Sequence, residues 1–195
     1  MGSPKIADNF KKYVDFNKEE IDMFFQLAKR RVIEKNKYAT IENDEACFFH
    51  IESGCLMTYV KDQADQKHVL QFGVDLWWTG DLETIIKGTK STQYIRAVDR
   101  TVVYVLDKSS YEKLLACSQK YERFFRILFQ NSLISHQKRI IRNISFSAEE
   151  RYLSFVEQFP QMEMLVAQKY IASYLGITPE FFSKLKKLLA EKEQH

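Results

Sequence analysis

Proline and glycine are scarce in this 195-residue chain, three and six in number. Collagen-like, linker-like and low-complexity chains are rich in one or both, so those classes are excluded. Cysteine is scarce as well. Cys47, Cys55 and Cys117 are odd in number and widely spaced, which does not suit a disulfide framework. Three thiols also fall short of the four ligands an iron–sulfur cluster normally takes. No apolar run approaches the ~20 residues of a membrane span, and no apolar stretch follows the polar N-terminal region. The expectation is a cytoplasmic protein without a membrane partner. Met1-Gly2-Ser3 reads as a cloning remnant with no assigned role.

Catalytic constellations are missing too. The histidines are His50, His68, His136 and His195, and their spacing does not match the His-and-carboxylate cluster of a cupin-type metal enzyme. There is no P-loop, no GxGxxG run and no Ser-His-Asp arrangement. Cys47 and His50 lie three apart on a strand, so they face opposite ways and cannot converge on a zinc ion at ~2.0–2.3 Å. They read as a buried strand cysteine and a hairpin histidine. The chain reads as a non-enzyme with no metal site, and the residues name no cofactor.

What is present is an ample core: 45% apolar residues, with 15 Phe and 10 Tyr, beside 28% charged residues. The net charge of +3 is mild, but local basic clusters, Lys138-Arg139-Arg142 and Lys184-Lys186-Lys187, fall in the second half. Asn17 with Glu19 and Glu20 opens a first helix. Short β-rich runs then alternate with turn signals from Arg31 to Leu106, predicting a small antiparallel barrel or roll interrupted by a short helix at 81–86. Ser109 to Glu112 reads as a capping box. A long helix follows over about 119–144, and its apolar stripe (Phe124, Leu128, Ile134, Ile141) is too wide for a lone surface helix. Ser147 to Glu150 reads as a second capping box, and that helix stops before Pro160.

The run from Gln168 to Leu189 predicts a helix-turn-helix. Ala172 is small where a second helix would press on the first, and Gly176, four residues on, suits a turn at positive φ. Thr178 is a good N-cap, and Pro179 suits the first helical position. Phe182, Leu185 and Leu189 share one face. Thr178, Glu180, Ser183, Lys184 and Lys187 are the candidate DNA-binding residues: the helix start and lysines for phosphate, Glu180 for a cytosine amino group, Lys184 for guanine. Phe181 is large for a groove-facing position.

These stretches together, above all Trp77-Trp78-Thr79-Gly80-Asp81-Leu82, Phe124 to Leu128, Ala148 to Leu153 and Ile171 to Glu180, resemble the Crp/Fnr (cyclic-AMP receptor protein) family of transcription regulators. The chain looks most like the short variants common in Bacteroidetes. The resemblance implies an α+β fold: an N-terminal antiparallel β-roll like a cyclic-nucleotide-binding domain (residues 1–118), a dimerisation helix (119–145) and a C-terminal helix-turn-helix domain (146–195). It implies double-stranded DNA, a second copy of the chain, RNA polymerase and a small-molecule effector as partners. Gly80, Asp81, Leu82, Ser91 and Thr92 stand at the positions of the family's effector-binding cassette, with Asp81 one methylene shorter than the family's glutamate. Two departures matter. The cassette's phosphate-binding arginine falls on Ser91, which has no guanidinium fork for a cyclic phosphate, so cyclic AMP is not the expected effector. Lys90 and Arg96 are the nearby cations. The sequence also ends at His195 without the residues of a β-wing, so a reduced or absent wing is expected. The rival reading is a small-molecule sensor or scaffold whose C-terminal helices no longer bind DNA.

Overall fold

The computed structural model of the protein describes residues 3–192; Met1, Gly2 and His195 lie outside them. Local chemistry sets where the elements begin. Pro4 opens α1 (Pro4–Lys11), whose Ile6 and Phe10 are buried four residues apart. Sequence reading passed over this short helix. α2 (Lys18–Leu27) is capped as expected: Asn17 Oδ1 accepts from the Glu20 N–H and Glu20 accepts from the Asn17 N–H, both at 2.8 Å.

Among the described residues eight strands follow: β1 (Lys29–Ile33), β2 (Tyr38–Thr40), β3 (Cys47–Ser53), β4 (Leu56–Lys61), β5 (Lys67–Gly73), β6 (Trp78–Thr79), β7 (Tyr94–Ala97) and β8 (Thr101–Asp107). They form two four-stranded sheets, ordered β1-β8-β3-β6 and β2-β7-β4-β5. β3 and β8 pair antiparallel, with Phe49 opposite Val105 and His50 opposite Tyr104. Alternate residues of β3 enter two different cores. Phe48 joins an aromatic cluster with Phe10, Phe24, Phe124 and Phe125, while Phe49 and Ile51 join Leu56, Ile95 and Val103. His50 lies within β3 and is fully buried, which corrects its reading as a hairpin residue.

The helices are α3 (Leu82–Lys87), α4 (Lys108–Cys117), α5 (Gln119–Ser145), α6 (Ala148–Gln158), α7 (Met162–Leu165), α8 (Gln168–Leu175) and α9 (Pro179–Lys192). One cap differs from expectation. Asp107, not Ser109, caps α4 by accepting from the Ser110 N–H at 2.8 Å. A carboxylate at the end of β8 both satisfies that donor and suits the positive helix end. Ser147 caps α6 in a reciprocal box with Glu150, as the sequence implies.

The chain divides into two compact units. One takes the chain up to Tyr59 and Phe72–Ser132; the other takes Val60–Gln71 and the chain from Leu133. The first holds most of both sheets and the aromatic cluster. The second holds the far end of the β4–β5 hairpin with α6 to α9, and its core gathers Tyr152, Phe155, Ile171, Ala172, Leu175, Phe182 and Leu185. The Tyr152 and Phe182 rings meet edge-on at 5.4 Å. The expected class, an α+β chain with an antiparallel roll, a long helix and a C-terminal helical domain, is the one observed.

Candidate nucleic-acid interface and effector cassette

α8 and α9 meet at a tight turn. Ala172 is fully buried in α8 and leaves room for α9. Gly176 ends α8 with φ 69° and ψ 35°, a left-handed conformation that glycine adopts without strain, and its N–H reaches back to the Ala172 and Ser173 carbonyls. Thr178 Oγ1 then accepts from the Phe181 N–H at 3.2 Å, and Pro179 takes the first position of α9.

α9 has a buried face and a polar stripe, although Phe181 and Leu188 are also exposed. Phe182 and Leu185 are buried. Glu180, Ser183, Lys184 and Lys187 are exposed, and their spacing of three, four and seven residues puts them on one stripe. The structure also sorts the basic cluster. Lys186 is held by Glu163 at 2.7 Å and Lys192 by Glu149 at 3.0 Å. Among the described residues Lys184 and Lys187 make no ion pair within 4.0 Å, so their charge faces solvent. Phe181 is half exposed, at the edge of this stripe.

Two residues to which the sequence assigns no packing role, Ser173 and the basic-cluster Arg139, hold α8 in place. Ser173 Oγ donates to the Lys67 carbonyl at 3.0 Å and accepts from the Val69 N–H at 2.9 Å. Arg139 donates to the Leu70, Val69 and Tyr174 carbonyls and lies 4.3 Å over the Tyr174 ring. The available signal was a serine inside the buried Ile171-Ala172-Leu175 pattern. Its partners, about a hundred residues away, left none.

The structure brings the cassette residues together through Asp81. Its carboxylate accepts from the Ser91 hydroxyl at 3.1 Å, the Thr92 N–H at 3.3 Å and the Thr84 N–H at 3.3 Å, the last capping α3. Asp81 and Ser91 are buried, Gly80 is half-buried, and Leu82 and Thr92 are exposed. Lys90 Nζ lies 3.9 Å from Glu45 at the surface. Arg96 is part-buried on β7, opposite Tyr38 and Met57. Nearby, Tyr59 and Tyr94 stack at 5.2 Å, and the Tyr38 and Tyr59 hydroxyls meet at 2.9 Å. Among the described residues no group of three His, Cys, Asp or Glu side chains could hold a metal ion.

A cyclic-nucleotide-binding-like roll, a long helix and a helix-turn-helix in this order define the fold of the Crp/Fnr regulators. FixK2 from Bradyrhizobium japonicum superposes with a TM-score of 0.73 at 16% identity, covering 85% of this chain and 86% of that one. The c-di-GMP-responsive global regulator CLP from Xanthomonas campestris gives 0.72 at 14% identity, over 90% and 93%. A protein from Eubacterium rectale, described as a transcriptional regulator of the Crp/Fnr family, gives 0.73 at 16%, over 91% and 85%. No protein-family model matches the sequence, and no curated protein matches it. At such identities the likeness is one of fold.

Proposed function

We propose that the protein is a homodimeric DNA-binding transcription regulator of the Crp/Fnr type and not an enzyme. The observation that carries this reading is the outer stripe of α9. Glu180, Ser183, Lys184 and Lys187 stand exposed on a helix whose entry is set by a left-handed glycine and a Thr-Pro cap. In this reading Thr178 and the helix start meet backbone phosphate, while Glu180 and Lys184 meet base edges in the major groove. Residues 1–118 act as sensor, 119–145 as dimerisation helix and 146–195 as DNA-binding domain. Two recognition helices then lie about one DNA turn apart, ~34 Å, on a palindromic site.

The cassette of Gly80, Asp81, Leu82, Ser91 and Thr92 belongs to the effector region. Its Asp81 carboxylate is already engaged by three donors of the chain, and Ser91 stands where the family's phosphate-binding arginine would, which supports an effector other than cyclic AMP. An effector acts by shifting the long helix and with it the DNA-binding domains, a coupling between two sites. The protein works in the cytoplasm, with RNA polymerase as a further partner. Among the described residues no helix is long and apolar enough to cross a membrane.

The test is sequence selection followed by titration. Footprinting of genomic fragments is expected to reveal a palindromic site. Replacing Lys184 and Lys187 together with Ala then weakens that site at least tenfold, corresponding to about 1–3 kcal/mol per base contact, and flattens the salt dependence. Lys186→Ala, which removes a lysine already held by Glu163, leaves affinity nearly unchanged. A wild-type protein without sequence preference at moderate salt overturns the reading.

A further inference from the structure

Three arginines converge on a small recess within the second unit. Arg139 and Arg142 come from the end of α5 and Arg151 from α6; Asn143, Gln158 and Tyr174 help to close it. Its volume is about 20 Å³, above the ~10–15 Å³ that one water needs. No carboxylate lines it, and none of the three arginines makes an ion pair among the described residues. The Nε–H groups of Arg139 and Arg151 are buried with no acceptor. Arg139 uses its other two nitrogens on backbone carbonyls, which satisfy donors without neutralising charge. The guanidiniums are part-buried, and a buried N–H without an acceptor beside unneutralised charge is unfavourable unless an anion completes it.

We infer that Arg139, Arg142 and Arg151 form an oxyanion site that takes one phosphate-type group. Planar guanidinium forks match the several lone pairs of such a group, and its double negative charge suits three cations better than a single carboxylate does. The recess has room for about one oxygen of such a group, and the rest of the group stands outside it. The site also lies against the helix-turn-helix: Arg151 Nη1 is 3.7 Å from where a Cβ on Gly176 would stand. A bound anion thus ties α5 and α6 to the end of α8. The inference does not rest on DNA binding, since free phosphate alone can fill the site.

The test follows thermal unfolding of the full-length protein in HEPES buffer. Inorganic phosphate is titrated against chloride at matched ionic strength. The melting temperature of the wild type rises with phosphate, as binding to the folded state requires. Arg142→Gln and Arg151→Gln each abolish most of that rise while melting normally in chloride. Arg151→Lys, which keeps the charge and loses the fork, retains part of it. No rise in the wild type, or an equal rise in every variant, overturns the inference. A duplex-binding titration then tells the source of the group. If the group is a DNA backbone phosphate, the Gln variants bind duplex more weakly and free phosphate competes. If it is a free anion or a phosphorylated small molecule, duplex affinity survives in the variants.

Discussion

Inside the first unit, the imidazole of His50 packs 4.7 Å from the Trp78 ring and 5.4 Å from that of Phe10. Its Nε2–H donates to the Leu76 carbonyl at 3.2 Å, which assigns the neutral tautomer. Burial pushes this imidazole down to about 3, against a small opposing effect of the Leu76 bond. In the unfolded chain a histidine titrates near ~6.5. Between these values the unfolded state binds a proton that the folded state refuses. The stability due to neutral His50 is therefore complete above about pH 6.5 and falls as pH drops toward 3, by up to ~1.4 kcal/mol per unit. Urea unfolding at pH 7.5, 6.0 and 5.0 is expected to show this slope before most carboxylates titrate. His50→Leu is expected to flatten it, whatever its effect on absolute stability; an unchanged slope refutes the assignment. Sequence pattern did not reveal this burial. β3 packs both its faces against apolar clusters, so its polar member is enclosed along with Phe48 and Phe49. Alternation alone predicts one face toward water.

Single elements were more legible where their signals are local. The Asn17 and Ser147 boxes and the Thr178-Pro179 start of α9 all read correctly, because a cap acts within three residues. α1 and α7 escaped notice because eight and four residues carry too few apolar repeats. The resemblance assigns Asp81 to the cassette, but its bonds to Ser91 and Thr92 depend on how the loop after α3 returns. Two glycines give a prediction at this scale. Gly176→Ala introduces left-handed strain alone, since its nearest neighbour would be an ordinary 3.7 Å contact. The expected loss is about 1–2 kcal/mol in denaturant unfolding. Gly80→Ala would place a Cβ 2.6 Å from the Cys47 carbonyl oxygen at φ +156°, so strain and a backbone clash add. Equal losses for the two variants would show that the turn geometry is misjudged.

At the scale of the whole molecule, the second half of α5 carries an apolar surface that the single chain leaves uncovered. Leu133, Ile134, Ile140, Ile141 and Ile144 are between 49% and 81% exposed. Leu133 and Ile140, like Ile134 and Ile141, are seven residues apart, the repeat of a helix seam. Sedimentation is expected to give twice the 23.1 kDa chain mass, and Ile134→Glu with Ile141→Glu to give a monomer. A monomeric wild type at tens of micromolar would refute dimerisation through α5. Only Ile134 and Ile141 of this surface belong to the stripe named from the sequence, whose Phe124 and Leu128 pack in the aromatic cluster instead; the placement of residues 60–71 was not legible, because nothing local to that hairpin marks its partners. That placement has a consequence in time. Lys67 and Val69 leave the ribosome 106 and 104 residues ahead of Ser173. At ~5–20 residues per second they wait roughly 5–20 s for the hydroxyl that joins them. Until then water must serve that carbonyl and that N–H, and the helix-turn-helix can dock only after nearly the whole chain has been made.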